Sequence, residues 1–423
     1  MSGHRRQNVR RCGEMTPLLL LACAGTTRIP FDDALNPDSG NNGDDTAVLA
    51  EWVGQGEDGP LDVDGVVDLN EAGLAPRLDV LDIVGDTVTV AGSTAGLAPG
   101  DEVILIDLHG LAADDAEVGQ YVFRTVAGTT NATVRLTEVP GMAVPFGHAI
   151  TLQRVPHFSD VHVGGILTTT PWDGFRGGVI AFRASGILLI DGRGTISADG
   201  LGFAGGATGA HSGDDGFQGE SYSGSGIGGA TSDEGYNEAN GAWDANLGGG
   251  GANITGAGGN YGGGATPGDA WIDGATPPSA GGTYGSTDLT TMFLGSGGGG
   301  VWNGYDEPGP GGNGGGIIFV AATEILAGDS GAISAKGDDA ESWATGTYSY
   351  GSGGGSGGSI WVMAGRASFG TNSVDARGGW GESNHTRHGG DGGGGRVRLD
   401  ITTVVEGDLT TASEPDAGYT GAP

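Results

Sequence analysis

Gly177-Gly178-Val179-Ile180-Ala181-Phe182 opens on two glycines and runs on through four consecutive apolar residues. The same figure returns as Gly315-Gly316-Ile317-Ile318-Phe319-Val320, as Gly357-Gly358-Ser359-Ile360-Trp361-Val362 and as Gly394-Gly395-Arg396-Val397-Arg398-Leu399. A second element follows the first three: Gly194-Thr195-Ile196-Ser197-Ala198-Asp199-Gly200, Gly331-Ala332-Ile333-Ser334-Ala335-Lys336-Gly337 and Asn372-Ser373-Val374-Asp375-Ala376-Arg377-Gly378. Each unit therefore reads as a strand, a connection and a second strand closed by glycine. Such units bury their apolar faces only by stacking on copies of themselves. Consecutive apolar positions predict strands covered on both faces. The fourth copy alternates Arg396, Val397, Arg398 and Leu399, which predicts one face in solvent and a terminal cap. A β-solenoid and a layered β-sandwich satisfy these facts equally.

Outward from the repeats, residues 201–314 form a long glycine-rich insertion between the first and second copies. Compact domains rarely carry a structureless loop of that size. Runs such as Gly248 to Gly251 and Gly297 to Gly300 instead predict extended, polyglycine-II-like chains that approach closely because side chains are missing. Upstream, Thr87-Val88-Thr89-Val90, Val103-Ile104-Leu105-Ile106, Tyr121-Val122-Phe123, Thr133-Val134-Arg135-Leu136 and Ile150-Thr151-Leu152 are short β-rich runs between turn signals. They predict a small N-terminal antiparallel barrel or sandwich over residues 79–157. The fold class expected is thus all-β: that module, then a glycine-rich β-solenoid or layered β-sandwich over 158–405 holding the insertion, then a flexible tail over 406–423.

The chain has 423 residues, 92 of them glycine, and a formal net charge of -34 from 52 acidic and 18 basic residues. A surface so acidic repels nucleic acid and excludes it as a partner. The only cysteines, Cys12 and Cys23, lie near the start, so no disulfide framework can form downstream. Arg5, Arg6, Arg10 and Arg11 precede the apolar run Leu18-Leu19-Leu20-Leu21-Ala22, the order read by export machinery. That run is too short to span a bilayer. Leu20-Leu21-Ala22-Cys23 resembles the bacterial lipobox, which implies a signal peptide over 1–22 and a lipid on Cys23 at the cell envelope, with Ala24 favouring the outer membrane. Gly, Asp, Asn and Pro dominate the stretch that follows, and an acidic, disordered tether over residues 23–78 is expected.

Gly281-Gly282-Thr283-Tyr284-Gly285-Ser286-Thr287-Asp288-Leu289, Leu294-Gly295-Ser296-Gly297-Gly298-Gly299-Gly300 and the later Gly-Gly-plus-strand units resemble a widespread set of glycine-rich extracellular proteins. Pro156-His157-Phe158-Ser159-Asp160-Val161 and Pro171-Trp172-Asp173-Gly174 fit the same pattern. The resemblance covers roughly residues 85 to 402. It implies a surface or matrix role and carries no catalytic residues with it.

Candidate sites are few. Asp62-Val63-Asp64-Gly65-Val66-Val67-Asp68-Leu69-Asn70-Glu71 resembles part of an EF-hand loop, making Asp62, Asp64, Asp68 and Glu71 candidate calcium ligands, although Pro60 stands where the first ligand belongs. A solvated acidic turn is the competing reading. His385, His388 and Asp391 are ligand types that zinc accepts, against a reading as exposed loop side chains. Trp243, Trp271, Trp302, Trp343 and Trp380 lie in or beside glycine-rich loops, where flat rings serve either as platforms for sugars or as plugs in a core short of side chains. For an enzyme, Asp214-Asp215 and Asp338-Asp339 offer paired carboxylates, but neighbours along a strand point to opposite faces. The expected function is a cell-envelope lipoprotein in adhesion or in glycan or matrix contact, without catalysis. A polysaccharide-degrading β-solenoid enzyme and a structural spacer or coat subunit are the alternatives.

Overall fold

In the computed structural model the described residues are 52–111, 115–208, 216–224, 249, 255–269, 278–301, 309–328, 330–341, 351–370, 373–382 and 388–406. Cys23 and the tail from 407 lie outside them. All the named elements are strands. The first coil is β1 (Leu61–Val63) and β2 (Val66–Asp68). Six strands then follow: β3 (Arg77–Val84), β4 (Thr87–Val90), β5 (Glu102–His109), β6 (Tyr121–Thr129), β7 (Thr133–Leu136) and β8 (Ala149–Val155). The short β9 (His157–Phe158) leads into four further coils: β10 (Val161–Val163) with β11 (Ile166–Thr168), β12 (Val179–Ile190) with β13 (Thr195–Ser197), β14 (Ile317–Ala327) with β15 (Ala332–Ser334), and β16 (Ser359–Ser368) with β17 (Val374–Asp375). The final strand is β18 (Arg396–Glu406).

The first strand of each coil joins a parallel sheet ordered β1-β10-β12-β14-β16-β18, and the second joins a parallel sheet ordered β17-β15-β13-β11-β2. Coil therefore stacks on coil with parallel pairing throughout, which is a solenoid and not a sandwich. The repeats legible in the sequence are the register itself: Ile180 pairs with Ile318, Ile318 with Ile360 and Ile360 with Val397. In the second sheet Ile196 pairs with Ile333 and Ile333 with Val374.

Alternate side chains of the long sheet go to two different cores, as the pleat requires. Ile180, Phe182, Ile318, Val320, Ile360 and Val362 face the second sheet and close the solenoid interior. Val179, Ala181, Ile317, Phe319, Trp361 and Met363 face outward, onto Ile104, Ile106 and Phe123 of β5 and β6 and onto Phe203, Leu289 and Leu294 of the glycine-rich region. Both faces are dry, which is why these strands read as unbroken apolar runs.

Residues 61–68, expected within a tether, are instead the first solenoid coil, with Leu61 on Val161 and Val66 on Ile166. Three-residue strands bounded by exposed acids leave little trace in composition. Their order comes from pairing with a coil about a hundred residues away and from burying Val63, Leu69 and Ala75. The six strands β3-β4-β7-β6-β5-β8 close into an antiparallel barrel around Leu78, Val88, Val103, Leu105, Val134 and Leu152. This barrel is inserted between the first and second coils and does not precede the solenoid.

Inside that barrel, Asp107 is 1% exposed; its Oδ2 lies 2.6 Å from His148 Nδ1, while its Oδ1 has no protein partner. Burial pushes the Asp107 carboxyl up to about 6, against the opposing hydrogen bond from His148. A carboxyl raised in the fold favours folding while it is protonated. That contribution is full below the unfolded value near 4 and is lost as pH rises through about 6, amounting to about 3 kcal/mol. Denaturant titrations of wild type and Asp107→Asn from pH 4 to 7 should diverge in the variant's favour by that order. Parallel pH profiles would refute the assignment.

The last coil differs from expectation. Arg396 and Arg398 are 6% and 8% exposed, so their face of β18 does not meet solvent. Arg396 donates from Nε and Nη2 to Tyr284 O at 3.1 and 2.6 Å and sits 5.3 Å from the Tyr261 ring centroid. Arg398 donates to Asp288 O at 2.8 Å and lies 4.7 Å over Trp361. Chain from the glycine-rich insertion covers this face, and arginine's planar guanidinium suits both the carbonyls and the rings.

The glycine-rich segments pack as a bundle of extended chains. Along 353–358, successive backbone N–H groups donate to Gly299 O, Gly390 O, Asp338 O, Ser296 O, Gly393 O and Ala335 O at 2.8–3.0 Å. The partners thus recur in the order 296–299, 390–393, 335–338, and then again. A three-residue cycle of donors pointing in three directions is the symmetry of a polyproline-II-type helix bonded to its neighbours. Left-handed backbone is not the reason for glycine there, since none of Gly353, Gly354, Gly355, Gly357 and Gly358 has a φ in that region. Space is: a Cβ on Gly354 would overlap Gly379 O, and one on Gly355 would overlap Asn313 O.

Candidate functional site: a cleft across the coil ends

The second sheet ends each coil at one corner, and its register carries the chemistry to that corner. Ser197 pairs with Ser334 and Ser334 with Asp375, so Asp199, Lys336 and Arg377, each two residues further on, stand on successive coils about 4.8 Å apart. Asp199 Oδ1 accepts from Ser334 Oγ at 2.5 Å and from Lys336 N at 2.7 Å, and its Oδ2 lies 3.4 Å from Lys336 Nζ. Arg377 folds back on Asp375 with contacts of 2.9 to 3.2 Å.

Beyond this ladder the chain enters the glycine bundle, and its first residues complete the walls. Asn313 Nδ2 donates to Asp338 Oδ2 at 3.1 Å. The Asp338 carboxylate occupies the space a Cβ would take at Gly200, whose φ of 63° is left-handed, so glycine serves there on both counts. Burial pushes the Asp338 carboxyl above the usual carboxylate range; the Asn313 hydrogen bond opposes this, and the charges of Asp199, Asp339 and Glu341 add to it. Asp339 Oδ1 accepts from Trp380 N at 2.7 Å and Ala340 N donates to Trp380 O at 2.9 Å, fixing the Trp380 backbone. Asp391 Oδ1 accepts from Gly381 N at 2.8 Å, and Asp391 N donates to Thr266 Oγ1 at 2.7 Å.

Together Asp199, Lys336, Asp338, Asp339, Arg377, Trp380 and Asp391, with intervening glycines and Thr266, line a cleft of about 380 Å³. Trp380 is 56% exposed, the one large ring that the described residues present to the cleft. The backbone on either side is bonded down, so the platform is preorganised.

Of the tryptophans singled out from sequence, Trp380 lies in the cleft, while Trp243, Trp271, Trp302 and Trp343 fall outside the described residues, as do Asp214, Asp215 and His385. Asp338 and Asp339 are not on a strand, and both line the cleft. The four acids of the EF-hand-like stretch are spread over the first coil. Asp62 Oδ1 lies 2.8 Å from His162 Nδ1, and Asp68 Oδ1 accepts from Asn70 N and Glu71 N at 2.8 and 3.0 Å. Asp64 and Glu71 are exposed. No cluster of three or more His, Cys, Asp or Glu side chains suited to a metal occurs among the described residues. His388 N donates to Asp269 Oδ2 at 2.9 Å. Sequence reasoning missed Asp199, Lys336 and Arg377 as site residues. Their signal was present in Ala198-Asp199-Gly200, Ala335-Lys336-Gly337 and Ala376-Arg377-Gly378, where the middle position of a fixed frame is charged every time.

No family model matches the chain, and no curated protein does. Among solved structures, the Gp54 tailspike of Acinetobacter baumannii bacteriophage AP22, in complex with A. baumannii capsular saccharide, is similar at 10% identity, with 82% of this chain and 64% of that one covered and a TM-score of 0.18. The gp61 tailspike of Pseudomonas phage phi297 is similar at 12% identity, over 84% of this chain and 63% of that one, with a TM-score of 0.17. The gp49 tailspike of Pseudomonas phage LKA1 is similar at 9% identity, over 86% and 69%, also with a TM-score of 0.17. The chain spans less than two thirds of the first two.

Proposed function

We propose that this chain is a surface protein that binds glycans in the cleft across its coil ends, held at the cell envelope by a lipid on Cys23. The observation that carries the glycan reading is Trp380: a large ring left open to solvent, on a rigid backbone, between hydrogen-bonding side chains drawn from three successive coils. Sugars present an apolar ring face and a rim of hydroxyls, so an aromatic platform flanked by carboxylates is the matching surface. Placement along the stacking direction favours an extended oligosaccharide over a single sugar.

Trp380→Ala should cut affinity for a bound oligosaccharide about tenfold, the loss expected when one aromatic contact of about 1.4 kcal/mol disappears. Glycan-array screening of the full chain followed by calorimetry on wild type and variant measures it. An array with no bound glycan, or a variant that binds as wild type does, would remove this reading. Palmitate labelling of cells making wild type or Cys23→Ser tests the anchor, with incorporation expected in wild type only.

A second reading, polysaccharide cleavage, draws on Asp338, whose raised carboxyl is the kind of group that donates a proton to a leaving oxygen. Release of reducing ends that Asp338→Asn abolishes would favour it over binding alone.

A further inference from the structure

We propose that the glycan taken by the cleft is one carrying free amino groups, and that uronate-rich polysaccharides are excluded; this rests on the glycan reading above. Among the described residues the cleft has two cations, and both are already engaged. Lys336 Nζ is 3.4 Å from Asp199 Oδ2, and Arg377 is held by the carboxylate of Asp375 at 2.9 Å from Nη2. Each therefore has its charge offset by a neighbouring carboxylate before any sugar arrives. Among the described residues, the side-chain contacts that fix Asp338, Asp339 and Asp391 come from uncharged donors: Asn313 Nδ2, Trp380 N and Gly381 N. Each retains a full charge when ionised, and each lines the cleft.

The raised Asp338 carboxyl has the same origin, since part of its cause is the repulsion of Asp199, Asp339 and Glu341. A site that holds carboxylates against their mutual repulsion gains when a cation enters and loses when an anion does. Trp380 acts in the same direction, because an ammonium over an indole face is attracted to its quadrupole while a carboxylate is not. The overall charge of -34 adds a long-range field of the same sign.

Calorimetry on the full chain with three probes of equal length tests the proposal: glucosamine oligomers, N-acetylglucosamine oligomers and oligogalacturonate. The glucosamine oligomer should bind about tenfold or more tighter than its acetylated form, weakening with salt, and oligogalacturonate should not bind. Asp338→Asn and Asp391→Asn should each reduce the amino-sugar preference. Asp82→Asn, on an exposed barrel strand, should leave it unchanged, which separates the cleft from general attraction to an acidic protein. Trp380→Ala keeps the charge and should still weaken both glucosamine forms.

Equal or tighter binding of the acetylated oligomer or of oligogalacturonate would overturn the amino-sugar assignment and leave the glycan reading standing. A preference that Asp82→Asn reduces as much as Asp338→Asn would overturn it as well. If none of the probes binds and the array is blank, the glycan reading fails, and this inference fails with it.

Discussion

Replacing Gly298 by alanine should destabilise the protein by more than about 4 kcal/mol, the range reached when packed atoms are forced to overlap. Gly298 lies where several glycine-rich chains meet. Its N–H donates to Gly312 O at 2.9 Å, and its carbonyl accepts from Gly206 N at 2.8 Å. The direction a Cβ would take is filled by the carbonyl oxygens of Gly353 and Gly354. These belong to backbone bonded in three directions, so no flexible side chain is there to yield. Relief requires moving a chain whose own hydrogen bonds then stretch, and buried unpaired backbone groups add to the cost. Gly192→Ala is the control, because open space surrounds its Cβ position and its φ is not left-handed. It should change stability by no more than about 0.5 kcal/mol, in either direction. Thermal and denaturant melts of the two variants decide the matter. A Gly298→Ala protein that melts with wild type would mean that the glycine bundle is not packed as described.

Glu102→Gln should cost about 3–5 kcal/mol, the range for stranding one member of a buried ion pair. Glu102 begins β5 of the barrel and reaches Arg183 of β12 with two bonds, Nε to Oε2 at 2.5 Å and Nη2 to Oε1 at 2.9 Å. Arg183 is 5% exposed and also donates to Trp52 O. Its guanidinium lies 5.1 Å from the ring centroids of both Phe123 and Phe319. His157 Nε2 approaches Glu102 Oε2 at 2.9 Å. Burial alone would push the Glu102 carboxyl up, but the hydrogen bond from His157 and the charge and hydrogen bond of Arg183 outweigh it and hold the group below its usual range. A carboxyl lowered in the fold contributes stability above its unfolded value, and that contribution is lost as pH falls through the folded one. The Gln variant should therefore be least stable relative to wild type at neutral pH and should converge with it in acid. Pairing Glu102→Leu with Arg183→Met should recover much of the loss, since apolar residues of similar volume need no partner. A double variant no more stable than Glu102→Gln would argue against a charge stranded at this joint.

The two experiments address the two ways the parts are joined. The glycine bundle ties the coils together chiefly through backbone hydrogen bonds, whereas the barrel is joined to the long sheet by an apolar face and by Glu102 held between Arg183 and His157.

The limits of sequence reading follow from the same physics. Val179 to Phe182, Ile317 to Val320 and their later copies announce strands covered on both faces, because an unbroken apolar run is stable only where water reaches neither side. The matching Ala-x-Gly frames announce the stacking and its register. Hydrophobic periodicity and repetition are local properties, and each copy carries its own. β1 and β2 have no such signature; they are strands because residues 161–168 supply their hydrogen bonds. Arg396 and Arg398 show the same limit. Alternation with Val397 and Leu399 describes a half-wet strand until chain from the insertion covers it, and that cover comes from more than a hundred residues upstream in sequence. Trp380 was legible as a candidate ring, but the cleft was not. Asp199, Lys336 and Arg377 become neighbours only when coils stack.

By itself, then, the sequence determined that the chain is all-β, that its coils repeat, and that glycine carries the stretch between them, since propensity, periodicity and the missing side chain act residue by residue. Only the tertiary structure decided that the barrel interrupts the solenoid after its first coil, which arginines are buried, and where charge and aromatic surface converge. Those outcomes depend on contacts between residues far apart in the chain, and the energy of such a contact belongs to the pair and is written at neither position alone.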